Sequence, residues 1–361
     1  ENGLISFDDL SFKNKPIQII ARNKKEFVGA DYFYEEIRKK LFSNYGIETL
    51  YSEGLIIKTS LNSNLQYLAE ESLVNGLIKY DKTQGWRGPI GNLDEYNLKF
   101  ENFIQNITNP FPDKWFLAKV DKVVSSKLFL SNKNLNNFEI NLSLEPNKWL
   151  TNKQIKKNDI LFVEKQNSSY VIRQIPIANG AIIVIDPFSG DVLAMSGGFS
   201  FSLSEFNRST QAKRQPGSAF KPFVYISALK KGYTPSTLIL DAPYVIDQGP
   251  GLPKWKPANY SDEFYGLTTM RTGIEKSRNL MTIRLANKIG IDSILSSAKD
   301  FSIEKHLDKN MSMSLGSGLV SLVDLTNAYG IIANGGKKIK PNIIKSIYSR
   351  NGKKILDNSN K

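Results

Sequence analysis

The sequence predicts an α+β protein with several domains. Its 361 residues can form two or three hydrophobic cores, and a hydrophobic content of 40% excludes a disordered chain. Apolar residues at helical spacing mark parts of residues 31–77 and the stretch after residue 218, whereas short β-rich runs separated by Asn, Lys and Ser mark the stretch between them. We therefore expect a β-rich module between two segments that contain helices.

The composition excludes several classes of function. The formal net charge is +13, but lysine is abundant everywhere in the chain, including ordinary loops, so we predict no nucleic-acid partner. The absence of cysteine excludes disulfides, thiol catalysis and cysteine metal sites. The single histidine, His306, lies in a charged run typical of solvated surface, so a Ser-His-Asp triad is not expected. We predict neither a cofactor nor a metal.

The first part of the chain predicts two helices with a strand between them. Residues 31–43 place apolar side chains at helical spacing, and Gly46 should end this helix. Residues 55–61 are β-branched enough to form a strand. The next helix should begin near Asn64 and bury one stripe, formed by Leu65, Leu68, Ala69, Leu73 and Leu77.

A sharp break at Gly85–Pro89 separates this part from a β-rich segment. Between Trp115 and Ile172 short apolar runs alternate with Asn/Lys/Ser turns, which is typical of a small antiparallel barrel. After Pro176, residues 181–185 and 192–195 flank a turn and predict a hairpin. Five consecutive apolar residues in its first strand indicate a sheet covered on both faces.

The most informative stretch is Arg214–Phe223, which contains Ser218 and Lys221 three residues apart. Pro216-Gly217 precedes the serine and an apolar run follows the lysine, so a loop should turn into a helix near Ser218. Positions i and i+3 share a helix face, which places a nucleophile beside a base. Lysine acts as a base only when it is neutral, so the site should be partly buried.

Two other Ser-x-x-Lys spacings, Ser296/Lys299 and Ser302/Lys305, lack this context and predict ordinary charged surface.

Residues 233–265 are rich in proline and predict a loop that forms a cleft wall. A helix should begin near Thr268 and continue past Leu280, and the polar residues Ser277 and Asn279 interrupt its apolar pattern. Near the end of the chain, Asn351-Gly352 between β-rich runs predicts a type I′ hairpin turn.

The segment from Asn207 to Leu229, NRSTQAKRQPGSAFKPFVYISAL, resembles the active-site segment of class A penicillin-binding proteins, which polymerise glycan strands and cross-link their peptides. Further similarities follow in the order of the family: TPSTLILDAPY from Thr234, WKPANYSDEFYGLTTMRTGIEKSRN from Trp255 and LGSGLVSLVDLTNAYGIIANGG from Leu315. The second motif of the family, S-x-N, then falls on Ser277-Arg278-Asn279.

The resemblance implies a fold and a division into domains. Residues 1–84 would be the end of a helical glycosyltransferase domain and an interdomain linker, and residues 85–175 an OB-like β-barrel insert. Residues 176–361 would be an incomplete penicillin-binding (serine transpeptidase) domain, an antiparallel sheet flanked by helices. The insert suggests a docking surface for partner proteins.

The resemblance also implies a reaction. Ser218 would attack the peptide bond between two D-alanines of a peptidoglycan stem peptide, with Lys221 as base, Ser277 as proton relay and Asn279 holding the donor amide. β-Lactams would acylate the same serine. Trp255, Asn259, Tyr260 and Gly316 are candidate substrate contacts, and for the first three packing of the loop is the favoured interpretation. A non-catalytic β-lactam sensor and a D,D-carboxypeptidase or β-lactamase are the alternative functions.

One motif of the family is missing. K-T-G occurs nowhere in the sequence, and Arg271-Thr272-Gly273 lies too close to Ser277 to replace it. We expect a chain truncated before that motif, and a fragment that is itself inactive or nearly so. The resemblance further implies an N-terminal membrane anchor outside this sequence and a location on the periplasmic side of the inner membrane.

Overall fold

The structure is a computed structural model that describes residues 29–133, 135–150, 153–247, 251, 253–303 and 307–358. Lys305, His306 and the first 28 residues lie outside this set. Helices and short strands alternate along the described part of the chain. Its α-helices are α1 (Asp31–Ser52), α2 (Ser63–Thr83), α3 (Leu93–Tyr96), α4 (Phe100–Ile104), α5 (Lys221–Lys230), α6 (Met270–Glu275), α7 (Asn279–Ile289), α8 (Ile291–Asp300) and α9 (Leu322–Ala333).

Within the described residues, the strands pair in antiparallel ladders. Such ladders combined with packed helices confirm the predicted α+β class. The strands are β1 (Ile56–Thr59), β2 (Gly91–Asn92), β3 (Trp115–Val124), β4 (Lys127–Asn132), β5 (Leu135–Asn141), β6 (Asp159–Gln166), β7 (Ser169–Arg173), β8 (Ile182–Ile185), β9 (Val192–Ser196), β10 (Lys213–Arg214), β11 (Leu238–Asp241), β12 (Gly266–Thr269), β13 (Val320–Ser321), β14 (Ile344–Tyr348) and β15 (Lys354–Asp357).

The hairpin predicted after Pro176 is present as β8–β9. Helices α1 and α2 contact it together with α9, so its apolar strands lie between helices. Helix α1 is interrupted at Gly46, whose φ of 78° is not helical, where we expected the helix to end. Helix α2 begins where Asn62 accepts a hydrogen bond from the backbone N–H of Leu65. Leu68 is 53% exposed, so it was wrongly placed on the buried stripe of this helix.

The β-rich insert forms one sheet in the order β2-β6-β3-β4-β5, with β7 also paired to β6. Its ladders do not join β5 to β7 in the described residues, so the sheet is open and the expected closed barrel is not observed. The physical reason is Asn147, whose amide donates to Tyr170 O at 2.7 Å and accepts from Ile172 N at 2.9 Å. This side chain thereby satisfies backbone groups of β7 that a neighbouring strand would otherwise bond.

Two further expectations were wrong in detail. The helix expected from Thr268 onward is divided into α6 and α7, because Ser277 adopts a left-handed backbone conformation with φ of 53°. The turn at residues 349–353 joins β14 to β15 as predicted, but Gly352 has the only positive φ in it, so the turn is not type I′. Strands β11 and β12 lie in or next to the segment expected to be loop.

The core that positions the candidate site lies among α5, α7, α8 and the 3₁₀ turn Met311–Leu315. Helix α5 contributes the fully buried side chains Phe223 and Val224 from its apolar run. Within the described residues no helix has the length and apolar character that crossing a bilayer requires.

Candidate active site

Ser218 lies where a short 3₁₀ turn, Gly217–Phe220, passes into helix α5. Gly217 allows this turn because its φ of 55° is unfavourable for other residues. Pro222 fits the first turn of α5, where a backbone N–H is not needed. The Ser218 side chain is exposed, and its hydroxyl makes no hydrogen bond within the described part of the chain. A nucleophile on this turn is open to a substrate.

Two contacts anchor the turn that carries Ser218. Phe220 is fully buried and its ring lies 5.4 Å from that of Phe223. From α9, the Tyr329 hydroxyl donates to Ala219 O at 2.9 Å, next to Ser218. The backbone that carries the serine is therefore held by both an apolar contact and a hydrogen bond.

Lys221 begins α5 and is only 1% exposed. Its Nζ donates to Ser277 O at 2.6 Å, Ser277 Oγ at 2.9 Å and Asn279 Oδ1 at 2.7 Å. Three donors match an ammonium group. Burial lowers the pKa of Lys221 from 10.5 to about 8, because the charged form loses its hydration. Ser218 is not among its partners, so the structure does not bring the serine oxygen into the hydrogen-bond contact expected from the spacing.

Ser277 and Asn279 reach Lys221 because the chain breaks between α6 and α7. The left-handed conformation of Ser277 turns the chain, so that both its carbonyl and its hydroxyl contact Nζ. Asn279 is the first residue of α7 and also donates from Nδ2 to Ala258 O at 2.8 Å. The S-x-N motif therefore lies directly across from the Ser-x-x-Lys motif.

The structure separates the four candidate substrate contacts. Gly316, with φ of 78°, ends a 3₁₀ turn against Gly217, whose N–H donates to Gly316 O at 3.2 Å. Asn259 is only 5% exposed, and its amide bonds to protein groups behind the site. Trp255 is half-buried and pairs through its backbone with Ile246, while Tyr260 is fully exposed. Gly316 thus lies next to the turn of Ser218, and Asn259 lies behind Asn279.

Other predicted motifs lie elsewhere. Arg271-Thr272-Gly273 is part of α6, so it is not a strand that could line a cleft. Ser296 and Lys299 are both exposed on α8, as expected for charged surface. Among the described residues there is no group of three or more His, Cys, Asp or Glu side chains that could hold a metal.

Sequence reasoning missed Asp241, a fully buried carboxylate that contacts Asn259. The pattern of β11 carried a signal, because Leu238-Ile239-Leu240-Asp241 alternates with the aspartate on the same face as Ile239, which is 2% exposed. A charged residue in phase with a core position indicates a specific buried partner. Tyr329 gave no comparable signal in the sequence.

Comparison with known families and proteins identifies a consistent set of relatives. A family model described as the penicillin binding protein transpeptidase domain matches residues 180–361. Penicillin-binding protein 1A of Rickettsia conorii is 41% identical over 98% of this chain and 46% of its own length. The protein of the same name in Pseudomonas aeruginosa is 33% identical over 90% of this chain and 41% of its own length. The chain therefore spans less than half of these curated relatives.

Among solved structures, penicillin-binding protein 1A from Haemophilus influenzae is similar over 98% of this chain and 53% of its own, with a TM-score of 0.83 and 29% sequence identity. The similarity extends over the insert as well as the segment that carries Ser218, because nearly the whole chain is covered. Both modules therefore occur together in a known protein.

Proposed function

We propose that this chain, which belongs to the penicillin-binding protein transpeptidase family, carries the acyl-transfer site of a serine D,D-transpeptidase that cross-links peptidoglycan. The observation that carries the proposal is the geometry around Lys221. A buried amine contacts both Ser277 and Asn279, and it lies one helical turn from an exposed serine at the start of α5. This arrangement supplies a nucleophile, a base and a proton relay.

The proposed first step forms an acyl-enzyme. Ser218 Oγ attacks the carbonyl carbon between the two D-alanines, and the neutral Lys221 amine takes the hydroxyl proton. As the tetrahedral intermediate collapses, Ser277 Oγ passes a proton to the leaving nitrogen and is reprotonated by Lys221. The 2.9 Å hydrogen bond between Lys221 Nζ and Ser277 Oγ provides that path. The terminal D-alanine leaves and an ester remains on Ser218.

In the second step, a stem-peptide amine from another strand attacks the ester carbonyl. The C–O bond to Ser218 breaks, the oxygen regains its proton, and a new peptide bond joins the strands. A β-lactam follows only the first step, because ring opening leaves no separate group to depart and the ester persists. Asn279 Nδ2, which bonds to Ala258 O in this structure, is the amide that would turn toward the donor peptide.

The resting arrangement places a requirement on Lys221. With three acceptors around Nζ, the amine is held as an ammonium, which cannot accept a proton. It must lose one proton and direct the freed lone pair toward Ser218 before the attack. A pKa of about 8 places this loss within reach of neutral pH.

The backbone N–H of Ser218 would supply half of an oxyanion hole. In the family the other donor comes from the strand with K-T-G, which this sequence lacks. Loss of one such donor slows a reaction by ~10²–10³. We therefore expect the 361-residue chain to turn over peptide very slowly, and measurable rapid turnover would contradict this.

Several properties of the family extend the proposal to the whole protein. They are glycosyltransferase activity, membrane anchoring with this chain on the periplasmic side, and docking of partner proteins on the β2–β7 insert. The similarity to penicillin-binding protein 1A of several bacteria supports them together. The division at residues 84/85 and 175/176 belongs to the same proposal.

Intact-mass spectrometry after incubation with a labelled penicillin tests the nucleophile. We expect one adduct on the 361-residue chain after long incubation, mapped to the peptide with Ser218 and absent in Ser218→Ala. Ser296→Ala is the matched control, because Ser296 and Lys299 repeat the spacing on the exposed face of α8. A folded protein without any adduct would contradict the proposal and favour a binding module on the same fold.

Acylation alone does not separate a transpeptidase from a sensor or a hydrolase. Incubating the protein with a D-Ala-D-Ala stem peptide and a D-amino acid or stem-peptide amine separates these functions. Amine-dependent formation of a peptide-bonded product supports transfer, and release of the acyl group by water alone indicates a carboxypeptidase, or a β-lactamase when penicillin is the substrate. A protein that forms the penicillin adduct but converts no peptide over a long incubation indicates a sensor.

A further inference from the structure

Asp241 is a carboxylate with no exposed surface, at the inward-facing end of β11. No ion pair of this residue occurs among the described residues, and Asn259 Nδ2 donates to both of its oxygens, at 2.8 and 3.1 Å. A buried carboxylate without a cation costs several kcal/mol unless its surroundings compensate. A role for this carboxylate is therefore expected.

The amide of Asn259 is fully used by the protein. Its Oδ1 accepts from Asn279 N at 2.9 Å and from Leu280 N at 3.2 Å, and its Nδ2 also donates to Glu263 O at 2.9 Å. The two N–H groups are the first of α7, which have no partner inside the helix. Asn259 therefore caps α7 from 20 residues away in the sequence.

The Asp241 carboxylate determines the orientation of the Asn259 amide. An amide has a donor end and an acceptor end, and an ionised carboxylate can only accept. Asp241 therefore draws Nδ2 toward itself and leaves Oδ1 facing the start of α7. In the reversed orientation, Nδ2 would face two N–H groups and Oδ1 would face two carboxylate oxygens, so both contacts would be repulsive.

We infer that Asp241 and Asn259 are positioning residues for acyl transfer, which fix the first turn of α7 and thereby hold Asn279 Oδ1 and Ser277 against Lys221. This inference rests on the proposed function of the site and deepens it. It gives Asn259 a role behind the site instead of a substrate contact. It assigns Asp241, which is linked to Lys221 through Asn259 and Asn279, to the same machinery.

The chain contains a matched control for this arrangement. In the insert, Asn92 Nδ2 donates to Asp159 Oδ1 at 2.7 Å and to Lys157 O at 3.0 Å, while Asn92 Oδ1 accepts from Asp94 N at 3.0 Å and caps α3. Asp159 is 3% exposed. The same chemistry therefore occurs where no catalytic group lies, and Asp159→Ala reports the cost to stability alone.

The first readout does not depend on the reaction. In ¹⁵N-lysine NMR at pH 6, a Lys221 ammonium held by three acceptors should give a protected signal, assigned by its loss in Lys221→Gln. We expect Asp241→Ala and Asn259→Ala to lose this signal while the proteins remain folded. Asp159→Ala should keep it. Retention of the signal in folded Asp241→Ala would overturn the inference even if the site is a transpeptidase.

The second readout is the rate at which labelled penicillin acylates Ser218. We expect Asp241→Ala and Asn259→Ala to slow acylation at least about tenfold, because small displacements of catalytic groups carry large rate penalties. Asp159→Ala should leave the rate unchanged. If the unsubstituted chain does not acylate, the proposed function fails, whereas the NMR result still decides the inference.

A reciprocal exchange tests orientation separately from folding. Asn259→Asp alone places two carboxylates, at positions 241 and 259, against each other, so acylation of Ser218 should be slow. Adding Asp241→Asn restores a donor facing an acceptor, with the oxygens of the carboxylate now at position 259 facing α7. We expect acylation of Ser218 in this double variant to be faster than in Asn259→Asp but slower than in the unsubstituted chain, because the bond to Glu263 O is not restored. A double variant no faster than the single one would count against the inference.

Discussion

Gly316 lies against Gly217 so closely that a Cβ atom at position 316 would overlap the carbonyl oxygen of Gly217. The atoms it would meet are backbone atoms of the residue before Ser218, which cannot move without moving the turn. A glycine in the LGSG segment is thus required by the position of the nucleophile. A role in packing explains this residue without a direct contact to substrate.

We predict that Gly316→Ala lowers the free energy of unfolding by about 2–4 kcal/mol, because a positive φ and a backbone overlap act together. Acylation of Ser218 should slow as well. Thermal or urea unfolding measures the first effect. Gly335→Ala is the control, since Gly335 has a φ of 82° but nothing within 4 Å of its Cβ position. That variant should cost about 1 kcal/mol. Equal losses in both variants would contradict the overlap.

The pH dependence of acylation should follow Lys221. Its pKa is lowered to about 8 by burial, and only the neutral amine accepts the serine proton. The neutral fraction is about 1% at pH 6 and about 90% at pH 9, so the rate should rise with pH and level off above about 8 to 9. The amount of fluorescent-penicillin adduct, sampled during long incubations between pH 6 and 10, tests this.

Lys221→Arg provides the control for that profile. An arginine keeps donors for Ser277 and Asn279 but does not lose its proton in this range, so the variant should fold and fail to acylate at every pH. A rate that is flat or falls with rising pH in the unsubstituted chain would show that Lys221 is not the base.

Substitutions of Ser277 should separate stability from activity. Its φ of 53° is costly for any residue except glycine. We expect Ser277→Gly to be about 0.5–1 kcal/mol more stable than Ser277→Ala, because only the second variant keeps the strain. Both variants remove Oγ and should slow acylation alike. Differential scanning calorimetry and the acylation assay together decide, and a less stable glycine variant would argue against strain at this position.

The stability of the insert, whose sheet is open, should depend on Asn147. This residue is 3% exposed and satisfies Tyr170 O and Ile172 N. Asn147→Ala leaves two buried backbone groups without a partner and should lower the free energy of unfolding by about 2–4 kcal/mol. Asn141→Ala is the control, because the Asn141 amide bonds an exposed turn at Ser143 and should matter little. Urea unfolding compares the two, and similar effects would contradict the role of Asn147.

Local features of the sequence predicted much of this structure. A Pro-Gly pair before a serine and an apolar run after a lysine were enough to predict the turn that leads into α5, because these residues act through their own backbone preferences. The β8–β9 hairpin followed from two apolar runs around a turn. Such elements depend on neighbours within a few residues.

Features that depend on distant partners could not be predicted in this way. The residues around Ser277 predict a helix at this position. Ser277 instead adopts a left-handed conformation, and Lys221, 56 residues away, donates a hydrogen bond to its carbonyl. The cap of α7 comes from Asn259, and the closed barrel expected for the insert fails because a side chain replaces a strand at β7. In each case a polar group bonds across the fold, which periodicity does not register.

The burial of Lys221 has a consequence for covalent inhibitors. Amine-directed electrophiles react with free, accessible amines, and this chain carries many exposed lysines, whereas Lys221 is 1% exposed with its three protons engaged. A soluble reagent of that type will therefore modify the surface first and leave this lysine among the last. A warhead aimed at Lys221 would need a scaffold that first occupies the space beside Ser218 and displaces Asn279 from Nζ. Selectivity would then come from the scaffold and not from the intrinsic reactivity of the electrophile.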